Sequence, residues 1–422
     1  MERNTKWYKL DNAAKIIPST AKGANTRVFR ISCELKEEVD GGILQMALNE
    51  VIPDFSFFNC ILKRGLFWYY MEDTNIMPKV EDDNLPACSP LYIPGRKNLL
   101  YRVNFYGRRI NLEMFHVLAD GTGAFMFFRR LIIKYLSIKH GIKVEDLGDD
   151  VSSVEEKNND AFRQFYQRQR GLKQLKDLSK VKAYQLSGEK DENMEPHLVE
   201  GTVSARKFVD ISKKYNTTVG VLATAVYIAA VIDGMSLRQM KRHVVVSVPV
   251  NLRQFFYSAT ARNFYGVIKI DFDPANYDGQ IETIINSVKE SFDRQLSEEN
   301  IRQNMNSYSA LEHNIAVKVA PLIVKDFTIS RFDRATKKGI TSSMSNLGRI
   351  KMPDEVSDYI DRFSAFMTAQ SQQICVCSFG DKMVFGEVSP YKTHKVMLNF
   401  FRRLTSMGVS VELATNDYDN KL

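Results

Sequence analysis

The segment best suited to chemistry runs from Phe115 to Gly123 and reads FHVLADGTG. Residues 110–115 have the composition of a strand, so His116 is expected at a strand end, where side chains commonly face a cleft. A neutral imidazole has a pKa near working pH and can take a proton from an attacking hydroxyl or amine. His116 is therefore a candidate general base.

Asp120 and Gly121 follow the histidine and are expected to reverse the chain before a helix. Glycine permits a positive φ in such a turn, and Thr122 can cap the helix that follows. The carboxylate can orient the ring, brace the loop through a cation, or do neither. On spacing alone, a packed histidine beside a helix-entry aspartate is the simpler interpretation, because short HxxxD patterns are common by chance.

Strand and helix patterns alternate on both sides of this segment and predict an α/β chain of two comparable lobes with mixed sheets. The predicted strands are Val28 to Leu35, two within Phe57 to Met71 joined at Lys63 to Gly65, Leu99 to Phe105, Ile110 to Phe115, Val244 to Val250, Val267 to Phe272, and several after Met367. The predicted helices are Gly42 to Val51, Thr122 to His140 with Gly141 as its stop, one ending at Lys214, Val219 to Ile232, Ile281 to Leu296, and Thr393 to Leu404.

Composition places the chain among ordinary globular proteins. It has 422 residues, 44% hydrophobic and 26% charged, which predicts two domains or one large two-lobed unit. The net charge of +8 fits either a solvated surface with a slight lysine and arginine surplus or a patch for an anionic ligand. Patterns typical of nucleic-acid binding are not found, so we expect no nucleic-acid partner.

Cysteine usage suits a reducing compartment. The five cysteines form an odd set without disulfide-like spacing, and Cys375 and Cys377 are expected on one face of a strand. The histidines are scattered, which predicts no metal site. The first residues have no apolar leader, and the longest apolar stretch, Val219 to Ile232, is too short for a comfortable membrane span. We therefore expect a cytoplasmic protein without a transmembrane segment.

The order of several motifs resembles one superfamily. His-x-x-x-Asp-Gly between a strand and a helix resembles the active-site signature of the chloramphenicol acetyltransferase and condensation-domain superfamily. The segment from Val248 to Arg253, VPVNLR, with Asn263 to Gly266, NFYG, and Ser345 to Gly348, SNLG, are similar to its later motifs. The opening from Tyr8 to Lys15, YKLDNAAK, looks like that of bacterial alcohol acetyltransferase-like proteins. Many condensation domains have two histidines in the signature, whereas Phe115 stands in the first position here.

This resemblance implies a two-lobed α/β sandwich with a central channel between the lobes. It implies transfer of an acyl group, here expected to be acetyl, from acyl-coenzyme A to a hydroxyl or amine by direct attack, with His116 as the base. The sequence also contains no G-x-S-x-G nucleophile elbow. Acyl-coenzyme A would be a co-substrate, and no permanently bound cofactor is expected.

The resemblance also implies the roles of the surrounding residues. Asp120 corresponds to the family's structural carboxylate, and Arg253 is its candidate partner, the alternative being an exposed arginine after an interior strand. Gly121 completes the signature. Ser345 and Asn346 are candidates for oxyanion hydrogen bonds or for lining the channel, the alternative being a polar turn. Asn263 and Gly266 are expected to shape the chain near the site rather than to react.

The predicted lobes are residues 1–180, which carry the HxxxDG motif, and residues 201–422, which complete the channel, with 181–200 as a charged crossover linker. The sequence is also compatible with two other functions. One is a non-catalytic member of the same fold that binds acyl or carrier partners. The other is an O-acyltransferase of the lipid or wax-ester type at a membrane surface, which predicts a wide apolar channel and an exposed apolar patch. The sequence leaves the acceptor, the acyl chain length and the oligomeric state open.

Overall fold

The computed structural model of the chain describes residues 6–145, 152–166, 182–193, 195–313, 319–368 and 371–416. The predicted lobe boundary at 180 and the first residue of the predicted linker lie outside these ranges. The helices are α1 Ile17–Thr20, α2 Gly41–Val51, α3 Gly121–His140, α4 Val154–Asn158, α5 Ala161–Phe165, α6 Ala205–Lys214, α7 Val219–Asp233, α8 Ile281–Gln295, α9 Glu298–His313, α10 Leu322–Lys337, α11 Asp354–Ser357 and α12 Lys395–Ser406.

The strands are β1 Trp7–Lys9, β2 Val28–Leu35, β3 Cys60–Arg64, β4 Tyr69–Asp73, β5 Val80–Asp82, β6 Tyr101–Tyr106, β7 Arg109–Phe115, β8 His197–Ser204, β9 Val244–Asn251, β10 Tyr265–Phe272, β11 Ser342–Arg349, β12 Ile360–Met367, β13 Gln373–Phe379, β14 Lys382–Ser389 and β15 Val411–Thr415. The predicted α/β architecture with mixed sheets is confirmed. The predicted turn at Lys63 to Gly65 lies slightly further along, because β3 continues to Arg64 and Gly65 N donates to Trp68 O.

Two large sheets organise the core. One has the strand order β12-β2-β7-β6-β5 and the other β10-β9-β11-β13-β14-β8-β15, while β1, β4 and β3 form a small third sheet. Both large sheets are mixed, since β5 runs parallel to β6, and β11 runs parallel to β9 and β13. The first sheet packs in one cluster of buried apolar side chains, to which Cys377, Val384 and Val388 of the second sheet also belong, and most of the rest of the second sheet packs in another.

The chain crosses between the two sheets more than once. Strand β12, from the second half of the sequence, pairs antiparallel with β2 in the first sheet. Strand β8 begins at His197, within the segment predicted as a linker, because it pairs with both β14 and β15. The lobes therefore do not separate at a single point along the sequence, and the residue bounds predicted for them stay predictions.

Local signals explain the two long helices near the predicted site. Helix α3 ends at Gly141, which takes a left-handed conformation with φ 66°, as predicted for its stop. Helix α7 begins after Thr218, whose side chain accepts a hydrogen bond from Val221 N, and its residues from Val221 to Ile232 are buried. No single described helix is long and apolar enough to span a bilayer, and α6 with α7 meets that criterion only as a pair bent by 86°.

Candidate active site

His116 lies immediately after β7, as predicted, and its backbone is anchored to the neighbouring strand. Its amide donates to the carbonyl of Arg27 at 3.0 Å, just beyond the pairing of Phe115 with Val28. Phe115, which stands in the position of the additional histidine, is fully buried and stacks on Tyr92, so this position serves the core. His116 itself is partly exposed.

The imidazole of His116 lies between residues from the two halves of the chain. Its ring is 5.3 Å from the ring of Phe29 on β2 and 5.4 Å from that of Tyr265 on β10. Its Nδ1 is 3.0 Å from Oδ1 of Asn263. These contacts bring the histidine to the boundary between the lobes, where the channel is predicted.

Burial lowers the pKa of His116 below its ordinary value, and the nearby Arg27 guanidinium adds to that shift. The Asp120 carboxylate, a hydrogen bond from the ring to the backbone of His116 itself, and Asn263 act in the opposite direction but do not outweigh burial. The ring is therefore neutral at pH 7, which is the state that a general base requires.

Asp120 joins the start of α3 to residues of the second half of the chain. Its Oδ1 accepts a hydrogen bond from Gly123 N at 2.8 Å and so caps α3. Its Oδ2 accepts one from Phe264 N at 2.7 Å and one from Arg253 Nη1 at 2.8 Å. The expected partnership with Arg253 is thus present, and the alternative of an exposed arginine is wrong.

Arg253 organises the loop that carries Asn263. Its guanidinium donates to the carbonyls of Thr260 at 2.9 Å and Arg262 at 2.6 Å, as well as to Asp120. The Arg253 and Asp120 side chains are only 10% and 6% exposed, so the charge pair is largely removed from water. One ion pair therefore connects the start of α3 to the backbone on which the histidine's hydrogen-bond partner sits.

Two details of the predicted turn are wrong. Asp120, rather than Thr122, caps α3, because its carboxylate reaches the amide of Gly123. Gly121 is the first helical residue and does not take a positive φ. Its small size matters because an added Cβ would lie 2.8 Å from Cδ2 of Leu347. Gly123 is more constrained, since a Cβ there would lie 2.0 Å from the carbonyl oxygen of Ala261.

Ser345 and Asn346 lie on β11, not in a polar turn. Ser345 pairs with Cys375 of β13, and the strand has a bulge between Asn346 and Gly348. Asn346 is exposed, and its Oδ1 accepts a hydrogen bond from Gly348 N at 2.8 Å. Leu347 of this segment lies beside Gly121 of the HxxxDG motif. The oxyanion or channel role of Ser345 and Asn346 stays a prediction.

Sequence reasoning missed the direct contact of Asn263 with the histidine and the place of Asp11 behind it. Asn263 Nδ2 is 3.2 Å from Oδ2 of Asp11 and 3.4 Å from the carbonyl of Val117. Asp11 and Asn263 are both almost completely buried. The segments YKLDNAAK and NFYG contain Asp11 and Asn263, but nothing in either segment indicates which of their side chains are in contact.

Comparison with known proteins bears on the fold. No family model and no curated protein sequence matches the chain. Solved structures do match. Fusarium sporotrichioides TRI101, complexed with coenzyme A and T-2, aligns with a TM-score of 0.64 at 10% identity over 97% of this chain and 99% of that one. Polyketide synthase associated protein 5 from Mycobacterium tuberculosis aligns at 0.62 and 12% identity over 97% and 98%.

The first condensation domain of the CDA synthetase also aligns, with a TM-score of 0.61 at 14% identity over 96% of this chain and 99% of the domain. These proteins align with the chain over nearly their whole lengths, so the chain shares their fold. Identities this low establish the fold and leave the reaction open. The chain therefore has the two-lobed α/β fold of these solved structures, as predicted.

Proposed function

We propose that the protein is an acyl-coenzyme A-dependent acyltransferase in which His116 is the general base. The observation that carries the proposal is the state of this ring, which is partly exposed at the lobe boundary, neutral because burial lowers its pKa, and bonded through Nδ1 to Asn263. That bond leaves Nε2 for a substrate. Structural neighbours that bind coenzyme A support the choice of donor.

The reaction would proceed by direct attack. His116 Nε2 takes the proton of the acceptor hydroxyl or amine as its oxygen or nitrogen bonds to the thioester carbonyl carbon. The resulting tetrahedral oxyanion collapses, the carbon–sulfur bond breaks, and the coenzyme A thiolate takes the proton back from the imidazolium. Ser345 and Asn346 remain candidates for oxyanion hydrogen bonds.

The test is release of coenzyme A thiol from acetyl- and longer acyl-coenzyme A with pooled alcohols and amines. We expect His116→Ala to fold and to lose roughly 10²-fold or more of the transfer rate. The matched control is His243→Ala, because His243 is also partly exposed and hydrogen-bonded, through Nδ1 to Asp271 at 2.7 Å. Near-normal turnover by folded His116→Ala would exclude this base. If no donor and acceptor pair releases thiol with the wild type, the non-catalytic binding alternative is favoured.

A second candidate is an O-acyltransferase for lipid-like alcohols, and an exposed apolar patch favours it. The patch consists of Leu66, Ile323, Val324 and Phe327, which are 73%, 73%, 51% and 64% exposed. The β3–β4 turn lies beside the start of α10, since Leu322 N donates to Leu66 O at 2.9 Å. Exposed apolar surface of this kind is typical of sites for lipids or partner proteins.

Acceptor chain length distinguishes the two candidates. Phe327→Ser should lower kcat/KM for long-chain alcohols and leave short alcohols unaffected if the patch guides lipid-like acceptors. Leu237→Ser is the matched control, because Leu237 is 86% exposed but is not part of the patch. Equal rates of wild type and Phe327→Ser on every chain length would leave the patch without a role in acceptor choice.

A further inference from the structure

We propose that Asp11 is a positioning residue for His116 and acts through Asn263. Its carboxylate fixes the orientation of the Asn263 amide, which in turn holds the imidazole in the tautomer that carries its proton on Nδ1. This inference rests on the proposed function, because the tautomer matters for catalysis only if His116 Nε2 is the base.

The orientation of the Asn263 amide follows from the chemistry of its neighbours. One end of the amide faces Oδ2 of Asp11 at 3.2 Å and the carbonyl of Val117 at 3.4 Å, and both of these atoms are acceptors. Only the NH2 group can face two acceptors, because the reverse orientation would set Oδ1 against two oxygens. Oδ1 is therefore the atom that faces the histidine.

The tautomer of the histidine follows in the same way. Oδ1 of an amide is an acceptor only, so Nδ1 of His116, at 3.0 Å, must donate its proton to it. A neutral imidazole has one N–H group, which leaves the lone pair on Nε2. The opposite tautomer would present Nε2–H to the substrate and could not remove a proton from it.

Asp11 is itself held rigidly. Its Oδ1 accepts a hydrogen bond from Ala14 N at 2.8 Å, and its Oδ2 lies 3.8 Å from Nη2 of Arg262. The Arg262 guanidinium also donates to the carbonyl of Lys9 at 2.7 Å, which ties the N-terminal segment to the loop of Asn263. Burial raises the pKa of Asp11 to about 6, so the carboxylate is ionised and purely an acceptor at neutral pH.

The variant Asp11→Asn distinguishes the positioning of Asn263 from the other role of this side chain, which is to accept a hydrogen bond from Ala14 N. In Asp11→Asn the side-chain oxygen can still accept from Ala14 N, but the new NH2 group faces the NH2 group of Asn263. Relief requires the Asn263 amide to turn, which presents its NH2 group to His116 Nδ1 and favours the Nε2–H tautomer. A role confined to the turn at Ala14 predicts no change at the histidine.

The experiment measures imidazole ¹⁵N chemical shifts, with His116 assigned from the spectrum of His116→Ala, and steady-state kinetics on the same full-length samples. We expect the wild type to report Nδ1–H at His116, and Asp11→Asn to shift the ring toward Nε2–H. Its kcat should fall roughly ten- to a hundredfold, within the range that a general base contributes, while KM for acyl-coenzyme A changes little. A wild-type-like tautomer and kcat in Asp11→Asn would overturn the proposal.

The control is Glu387→Gln, because Glu387 is another fully buried carboxylate bonded to a histidine, His394, at 2.8 Å. This variant should leave the His116 signals unchanged even if it destabilises the fold. If Asp11→Asn does not fold, Asn263→Ala replaces it and should give mixed tautomers at His116 with a reduced kcat. An unchanged Nδ1–H signal and kcat in that variant would equally overturn the proposal.

The two proposals fail in different ways. If wild type releases no thiol with any acceptor but Asp11→Asn still shifts the tautomer, the catalytic function is wrong and the positioning contact is supported. If wild type is active, His116→Ala is inactive and Asp11→Asn matches the wild type in both readouts, the function stands and Asp11 is not a positioning residue.

Discussion

The carboxylate of Asp120 and the guanidinium of Arg253 meet at 2.8 Å across the lobe boundary, with both side chains nearly excluded from water. The same carboxylate caps α3, and the same guanidinium holds the carbonyls of Thr260 and Arg262. A single contact thus fixes the helix that follows the histidine and the loop that supplies the histidine's partner.

We predict that Asp120→Ala and Arg253→Ala each destabilise the fold by about 3–5 kcal/mol, since breaking a buried pair on one side strands the other charge. The double variant should cost less than the sum of the two single variants. Urea unfolding of the four proteins of this cycle measures both quantities.

Arg253→Lys tests whether a positive charge alone is enough to stabilise this pair. It keeps the charge but loses the planar donors that reach Asp120 and two carbonyls at once, so we expect most of the stability loss to persist. Strictly additive single and double variants, or a lysine that restores full stability, would contradict a structural role for the pair.

The lowered pKa of His116 predicts where activity is lost on the acidic side of the pH–activity profile. Activity should rise with pH through a pKa below 6.5 and be flat between pH 7 and 8, because only the neutral ring accepts a proton. Asn263→Asp sets a carboxylate against Nδ1, favours the imidazolium, and should move that limb to higher pH.

The measurement is kcat/KM across the pH range for wild type and Asn263→Asp. The control variant Asn276→Asp adds the same charge at an exposed position after β10 and should leave the limb in place. A limb that does not respond to Asn263→Asp would mean that another group controls the acidic side of the profile.

The sequence alone predicts those parts of the site that are formed by residues close together in the chain. His116 at the end of β7, Asp120 before α3 and Gly141 at its end are all neighbours in sequence, and strand and helix patterns determine their relative positions. The Asp120–Arg253 contact was predictable only through the family resemblance, because 133 residues separate the two.

The relationships that were missed depend on tertiary packing. Asn263 contacts His116, which is 147 positions away, and Asp11, which is 252 positions away. No periodicity in the sequence predicts contacts between residues so far apart. Gly121 was expected to serve a turn, but its constraint comes from Leu347 of β11. The placement of β12 beside β2 likewise depends on the whole fold rather than on the residues of either strand.

The two glycines at the start of α3 give a matched test of that packing. Both are helical, so alanine should gain up to about 1 kcal/mol of helix propensity at either position. In Gly123→Ala the new methyl group would meet the backbone carbonyl of Ala261 at 2.0 Å, which cannot move without displacing the loop of Asn263. We expect a net loss of about 1–3 kcal/mol in urea unfolding and a lower kcat.

Gly121→Ala is the control, because its methyl group would meet only the flexible end of the Leu347 side chain, which can turn aside. It should change stability by less than about 1 kcal/mol. Equal losses in both variants would mean that the close approach of α3 to the Ala261 backbone does not constrain the site.

Asp11 and His116 should affect stability in opposite directions as pH changes. The pKa of Asp11 is raised from 3.8 to about 6, so between these values the folded state binds more protons than the unfolded state. Its contribution therefore weakens as pH rises from about 4 to about 6. The pKa of His116 is lowered from 6.5, so the unfolded state binds the extra proton just below 6.5, and its contribution is lost as pH falls.

Urea unfolding of wild type, Asp11→Asn and His116→Gln at intervals from pH 4 to pH 8 separates the two effects. The stability of Asp11→Asn relative to wild type should increase from pH 4 to pH 6 and then level off, because the variant cannot ionise. The stability of His116→Gln relative to wild type should be greatest below pH 6.5 and decline to a constant value above it. If the Asp11→Asn difference is constant across this range, the buried carboxylate does not titrate with a raised pKa, and Asp11 would be ionised throughout.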